Sequence, residues 1–169
     1  MLVSLSTTRF PGQEKTLQRI LDAVGALDLE AVVTTGPTID PATLRAPANA
    51  TVHRHLDHGE ILPTTSLVIG HGGHSTTARA LAYGIPLLIL PMHPLMDQAA
   101  IGRAVTRHGA GRTLPKSARA GTIRQAVREL LADGPHRAAA ARLGADIRRH
   151  DGAVTAVDLI ETAAAPVSA

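Results

Sequence analysis

At 169 residues the chain is long enough for one domain whose core needs neither disulfides nor a structural metal. Hydrophobic residues make up 44% and aromatics 1%, which excludes a disordered chain and leaves the core to Leu, Ile, Val and Ala. The formal net charge of +3 is scattered rather than run together, no nucleic-acid motif accompanies it, and Phe10 and Tyr83 make no stacking platform, so nucleic acid is not an expected partner.

Cysteine is absent, which excludes thiolate metal sites and cysteine nucleophiles and fits a cytoplasmic protein. Residues 1–6 lack the basic and long apolar stretches of a signal peptide, and the longest apolar run, residues 85–91, is too short to span a bilayer. A soluble protein is expected.

Along the chain, residues 2–6 read as a short apolar strand and residues 13–24 carry apolar side chains at helical spacing. A second strand is expected at 31–35 and a third at 66–70, followed by a helix over 75–83. A fourth strand over 86–90 leads into a helix over 95–108. Each strand run is apolar on both faces, as in a sheet covered by helices on both sides. From residue 118 onward the character changes to three helices, 120–132, 135–150 and 151–164, broken at Asp133-Gly134-Pro135 and Asp151-Gly152. Pro135 suits a first helical turn with Asp133 in the cap region, and residues 163–169 are expected to fray.

Strand and helix alternating through short connections predict a parallel, doubly wound, Rossmann-like α/β sheet with C-terminal helices. Met1 stands directly on an apolar strand, which suggests that residues 1–169 are one half of something longer.

Two segments carry chemistry. The third strand runs straight into His71-Gly72-Gly73-His74-Ser75-Thr76-Thr77 at a helix start. Two glycines allow close backbone approach, and unpaired N–H groups at the positive end of a helix dipole favour an anion. A Gly turn with a Ser or Thr cap would look similar, but two histidines and three hydroxyl residues around it point to a phosphate. The spacings of a phosphate-binding P-loop and of a dinucleotide fingerprint are absent. After the fourth strand comes Pro91-Met92-His93-Pro94-Leu95-Met96-Asp97-Gln98. Asp97 is either a first-turn acid or, with Gln98, a pair that holds sugar hydroxyls.

These segments, with Gly84-Ile85-Pro86 between them, resemble the donor-binding half of family 1 glycosyltransferases of the GT-B fold. Together His-Gly-Gly-His-Ser-Thr-Thr and Pro-Met-His-Pro-Leu-Met-Asp-Gln are similar to actinobacterial enzymes that glycosylate lipids and polyketides, several with deoxysugar donors such as dTDP-rhamnose. The resemblance implies that His71, Gly72, Gly73, His74, Ser75 and Thr76 bind the donor diphosphate and that Asp97 and Gln98 hold the transferred sugar. It places the nucleoside near His55, Leu56, His58 and Arg79. His55 stands where the family often has a stacking aromatic, and Arg79 where plant relatives have a ribose-binding Glu.

The same resemblance implies an inverting transfer from a nucleoside-diphospho-sugar to a hydroxyl. No acidic metal motif is visible, so metal-independent stabilisation of the leaving diphosphate is expected, with no cofactor. The family's general base belongs to an N-terminal acceptor domain, so no catalytic residue is assigned here and the isolated chain is expected to bind donor without transferring sugar. Membrane proximity is expected only through a lipid acceptor, and surface left bare by the missing half would favour self-association. His53, His55 and His58 lie close together, but without a carboxylate or cysteine at ligand spacing they predict no metal site. Two other readings remain open: a sugar-nucleotide epimerase half, for which Asp97 is the one well-placed acid, and a stand-alone nucleotide-binding module.

Overall fold

A computed structural model describes residues 1–132, 134–150 and 152–164. The four apolar runs fold as β1 (Leu2–Ser4), β2 (Ala31–Thr34), β4 (Val68–Gly70) and β5 (Leu87–Ile89). Two strands that apolar patterning did not reveal, β3 (Ala50–His53) and β6 (Gly111–Thr113), close the two edges. All neighbours pair in parallel in the order β3-β2-β1-β4-β5-β6, with Val3 registered between Val33 and Ile69.

Successive strand residues point to opposite faces, so each apolar run feeds two cores. Val3, Ile69 and Leu88 join one layer, packed by Leu17, Ile20 and Leu21 of α1 (Gln13–Val24) and by Ile123, Val127 and Leu130 of α5 (Ala120–Leu131). Leu2, Val68, Leu87 and Ile89 join the other. There they meet Ala80 and Leu81 of α3 (His74–Ala82), Val105 of α4 (Gln98–Arg107), and Ala139 and Ala140 of α6 (Pro135–Arg149). The short α2 (His58–Ile61) follows β3, and α7 (Gly152–Ala164) ends the described chain with no buried residue.

The helix expected over 95–108 starts later, at Gln98. Leu95 is 89% exposed and gains nothing by turning toward the core. Pro94 has no N–H to give, and the Leu95 N–H bonds to His93 Nδ1 at 3.3 Å rather than entering a helical ladder. Pro135 does open α6, with Gly134 as its cap residue. The cap role read for Asp133, the break at Asp151 and the tail from residue 165 lie outside the described residues. No helix among the described residues is long and apolar enough to cross a membrane.

This strand order reverses between β1 and β4, where the connections leaving the two strands diverge to opposite faces and a crevice opens at their carboxyl ends.

Candidate functional site

The expected phosphate turn leaves β4 at that crevice. Gly72 adopts φ +89°, and a Cβ there would lie 2.6 Å from the Gln98 carbonyl oxygen and 3.2 Å from Ile89 Cγ2. Only glycine suits that backbone and that gap. Gly73 is the N-cap of α3 and brings no side chain to cap it; a Cβ there would sit 2.7 Å from His71 Cε1. The His71 ring therefore lies over Gly73. Thr77 N–H is the first to close a helical bond, to the Gly73 carbonyl at 3.1 Å. Among the described residues the amides of His74, Ser75 and Thr76 find no acceptor, and the Ser75 and Thr76 hydroxyls make no hydrogen bond. These donors stand at the positive end of the α3 dipole, the arrangement that suits an anion.

They face a cleft of about 540 Å³ lined by His71, Gly73, His74, Ser75, Thr76 and Arg79 on the α3 side. The segment after β3 supplies Arg54, His55, Leu56, Asp57 and His58, and the connections after β1 and β2 supply Ser6, Thr7 and Gly36. The residues expected to bind diphosphate and nucleoside thus share one cavity, Gly72 excepted. Gly72 is buried beneath the turn, where its role is to let the backbone pass Gln98.

His71 Nδ1 is buried with no hydrogen-bond partner. An N–H buried without an acceptor costs more than an unpaired lone pair, so the proton belongs on Nε2, and His71 is a neutral donor. Burial also lowers its pKa below the ordinary 6.5. At the other end of the cleft burial likewise lowers the pKa of His58, helped by the positive Arg79 and by His55 and opposed by Asp57. His58 Nε2 lies 3.3 Å from Thr34 Oγ1, and Asp57 caps α2 by accepting from Gly59 N–H at 2.7 Å. Arg79 Nη2 is 3.9 Å from Asp57 Oδ1, an exposed pair too loose to contribute much. That leaves the guanidinium available to a ligand. His55 is exposed at the rim.

Asp97 and Gln98 stand outside the cleft lining, at the start of α4. Gln98 is buried, and its Oε1 accepts from Met92 N–H at 2.7 Å and His93 N–H at 3.1 Å. The oxygen that could have met a sugar holds the connection after β5 in place, and the amide nitrogen is what remains for a ligand. Asp97 occupies the N-cap position without capping α4; its Oδ2 lies 2.9 Å from His74 Nε2 instead. Periodicity and motif spacing gave no sign of that pair, nor of Ser6, Thr7, Arg54 and Asp57 in the lining. For Ser6 and Thr7 the missing information was the strand order, which sets the carboxyl end of β1 beside that of β4. No group of three His, Asp or Glu side chains among the described residues is placed to hold a metal ion.

The six-stranded parallel sheet, its helices on both faces and the glycine turn at its switch point match the glycosyltransferases of the GT-B fold. The calicheamicin glycosyltransferase CalG4 superposes with a TM-score of 0.86 at 28% identity, over 98% of this chain and 42% of that one. The family model of the erythromycin biosynthesis protein CIII-like C-terminal domain matches residues 18–158, and the chain belongs to that family. The 4'-demethylrebeccamycin synthase of Lentzea aerocolonigenes is 34% identical over 149 residues, covering 88% of this chain and 34% of that protein. The spinosyn rhamnosyltransferase SpnG, solved with thymidine diphosphate, matches with a TM-score of 0.80 at 27% identity, over 95% of this chain and 45% of that one. The chain therefore spans less than half the length of these relatives.

Proposed function

We propose that the cleft is the donor site of an inverting glycosyltransferase that moves a hexose, including deoxyhexoses, from a dTDP- or UDP-sugar to a hydroxyl of a lipid or natural-product acceptor. The observation that carries this is the trio of unpaired amides at His74, Ser75 and Thr76 beside the His71 ring, whose buried Nδ1 makes no hydrogen bond. The binding of thymidine diphosphate by a relative of the same fold supports the nucleotide assignment.

In transfer, an acceptor hydroxyl attacks the anomeric carbon and the bond to the diphosphate breaks. Negative charge grows on the departing diphosphate. Donors already fixed at the α3 start stabilise that charge without reorganising, and each such donor is worth about 3–4 kcal/mol in comparable oxyanion sites. His71, Ser75 and Thr76 surround the diphosphate, with the Gly73 backbone letting it approach. His55, Leu56, His58 and Arg79 take the nucleoside, and Asp97 with the Gln98 amide nitrogen takes the sugar. Arg79 adds positive charge along the donor's path, which supports binding without a metal ion.

An acceptor domain completes the enzyme in this reading, and the apolar side chains that α7 exposes, Val154, Val157, Leu159 and Ile160, are consistent with a docking face for it. The absence of cysteine fits a cytoplasmic place for the reaction. The 169-residue chain alone should bind dTDP without magnesium and show no transfer of sugar to an acceptor alcohol. Measurable transfer by this chain would place a complete active site within it and refute the division of labour.

A further inference from the structure

His74 lines the cleft, yet its ring is committed elsewhere: Nε2 lies 2.9 Å from Asp97 Oδ2. This contact joins the first residue of α3 to the N-cap of α4, so it ties the diphosphate turn to the segment that carries Asp97 and Gln98. Asp97 would ordinarily accept from the amides of its own helix, since N-cap aspartates are strongly preferred for that purpose. It makes no such bond. Its backbone is in the right-handed helical region, at φ −69° and ψ −1°, rather than the extended conformation usual for a cap, and the carboxylate is turned away toward α3.

From this geometry we infer that His74 is a positioning residue: its imidazole aims the Asp97 carboxylate at the sugar of the donor, while only its backbone N–H serves the diphosphate. The inference rests on the donor-site reading. An unpaired exposed carboxylate samples several rotamers, and a sugar must select one of them; a partner that holds it in place removes part of that cost. Asp97 is 63% exposed and His74 66%, so the effect is of the size of an exposed ion pair, less than tenfold in affinity. Gln98 completes the arrangement from beneath. Its Oε1 is fixed by Met92 and His93 amides, so the residue next to Asp97 cannot swing with it.

The test compares dTDP-glucose with dTDP on the 169-residue chain by calorimetry, reading the ratio of the two affinities. His74→Ala removes the ring and keeps the N–H. It should leave dTDP affinity within about twofold and reduce the sugar's advantage by roughly two- to fivefold. Asp97→Ala should reduce that advantage at least as much, and the double variant no further than Asp97→Ala. His74→Gln, whose amide nitrogen can reach the place of Nε2, should restore part of it. A loss of dTDP and dTDP-glucose affinity in equal measure would make the His74 ring a phosphate ligand and overturn the proposal. An unchanged ratio, or fully additive losses in the double variant, would overturn it as well. If the unaltered chain binds neither ligand, the donor-site reading itself falls and takes this role with it. Circular dichroism and a urea melt on each variant separate these results from unfolding.

Discussion

Replacing Gly72 by alanine perturbs the site at its tightest point. The residue's φ of +89° costs an L-amino acid about 1–2 kcal/mol. The new Cβ would also meet the Gln98 carbonyl oxygen at 2.6 Å, Gln98 Cα at 3.2 Å and Ile89 Cγ2 at 3.2 Å. Two of those atoms are backbone, and Ile89 is fully buried, so nothing nearby yields cheaply. Overpacking of this kind adds about 1–3 kcal/mol. We expect Gly72→Ala to lose about 3–4 kcal/mol, a large part of the roughly 5–15 kcal/mol that holds a typical domain folded. For a chain of this size that corresponds to a melting temperature lower by about 6–16 °C. Urea unfolding followed by circular dichroism measures it, with Gly121→Ala as the control. Gly121 lies within α5 with open space around its Cβ position, so alanine there should be neutral or stabilise by up to about 1 kcal/mol. A Gly72→Ala protein within about 0.5 kcal/mol of the parent would mean that the turn does not pass under Gln98 as described, and the placement of Asp97 would fall with it.

Gln98→Ala should cost about 2–3 kcal/mol in the same assay, because it strands the Met92 and His93 amides that Oε1 accepts from. A loss below about 0.5 kcal/mol would show that water replaces the side chain there. Stability should also depend on pH through His58 and His71, whose folded pKa values burial lowers below 6.5. The unfolded chain then binds protons that the folded one refuses, so stability rises with pH. It is fully present above about pH 6.5 and is lost as pH falls from there through the lower folded values. Alanine at both positions should flatten urea midpoints measured between pH 7.5 and 5; an unchanged slope would assign the dependence to other groups.

What could be read in the sequence follows from which elements are buried on both faces. β1, β2, β4 and β5 occupy the middle of the sheet, so Leu, Val and Ile fill them and the apolar runs stand out. β3 and β6 are edges. Ala50–His53 exposes Thr51 and half-exposes Val52 and His53, and Gly111–Thr113 is a Gly-Arg-Thr tripeptide paired with β5, whose Arg112 and Thr113 side chains meet Glu129 and Thr106. Neither needs an apolar signature, so neither showed one. The diphosphate turn was legible because its glycines answer to local geometry, a positive φ at Gly72 and a close His71 ring at Gly73. The Asp97–His74 contact was not, because it depends on where α3 and α4 start relative to one another across the sheet. The late start of α4 was hidden for the same reason, since Leu95 and Met96 look like core residues until the fold leaves them in solvent.

Whether the His71-to-Thr76 turn receives a nucleoside diphosphate is decided by calorimetric titration. The chain would be titrated with dTDP, UDP, GDP and thymidine, with and without magnesium, and again after His71→Ala. dTDP or UDP should bind without magnesium, thymidine should bind far more weakly, and His71→Ala should weaken the diphosphate by roughly tenfold or more while leaving thymidine nearly unchanged. Failure of all three diphosphates to bind the folded chain would mean that the turn is not a diphosphate site. Equal losses of dTDP and thymidine in the variant would reduce His71 to a support of the fold.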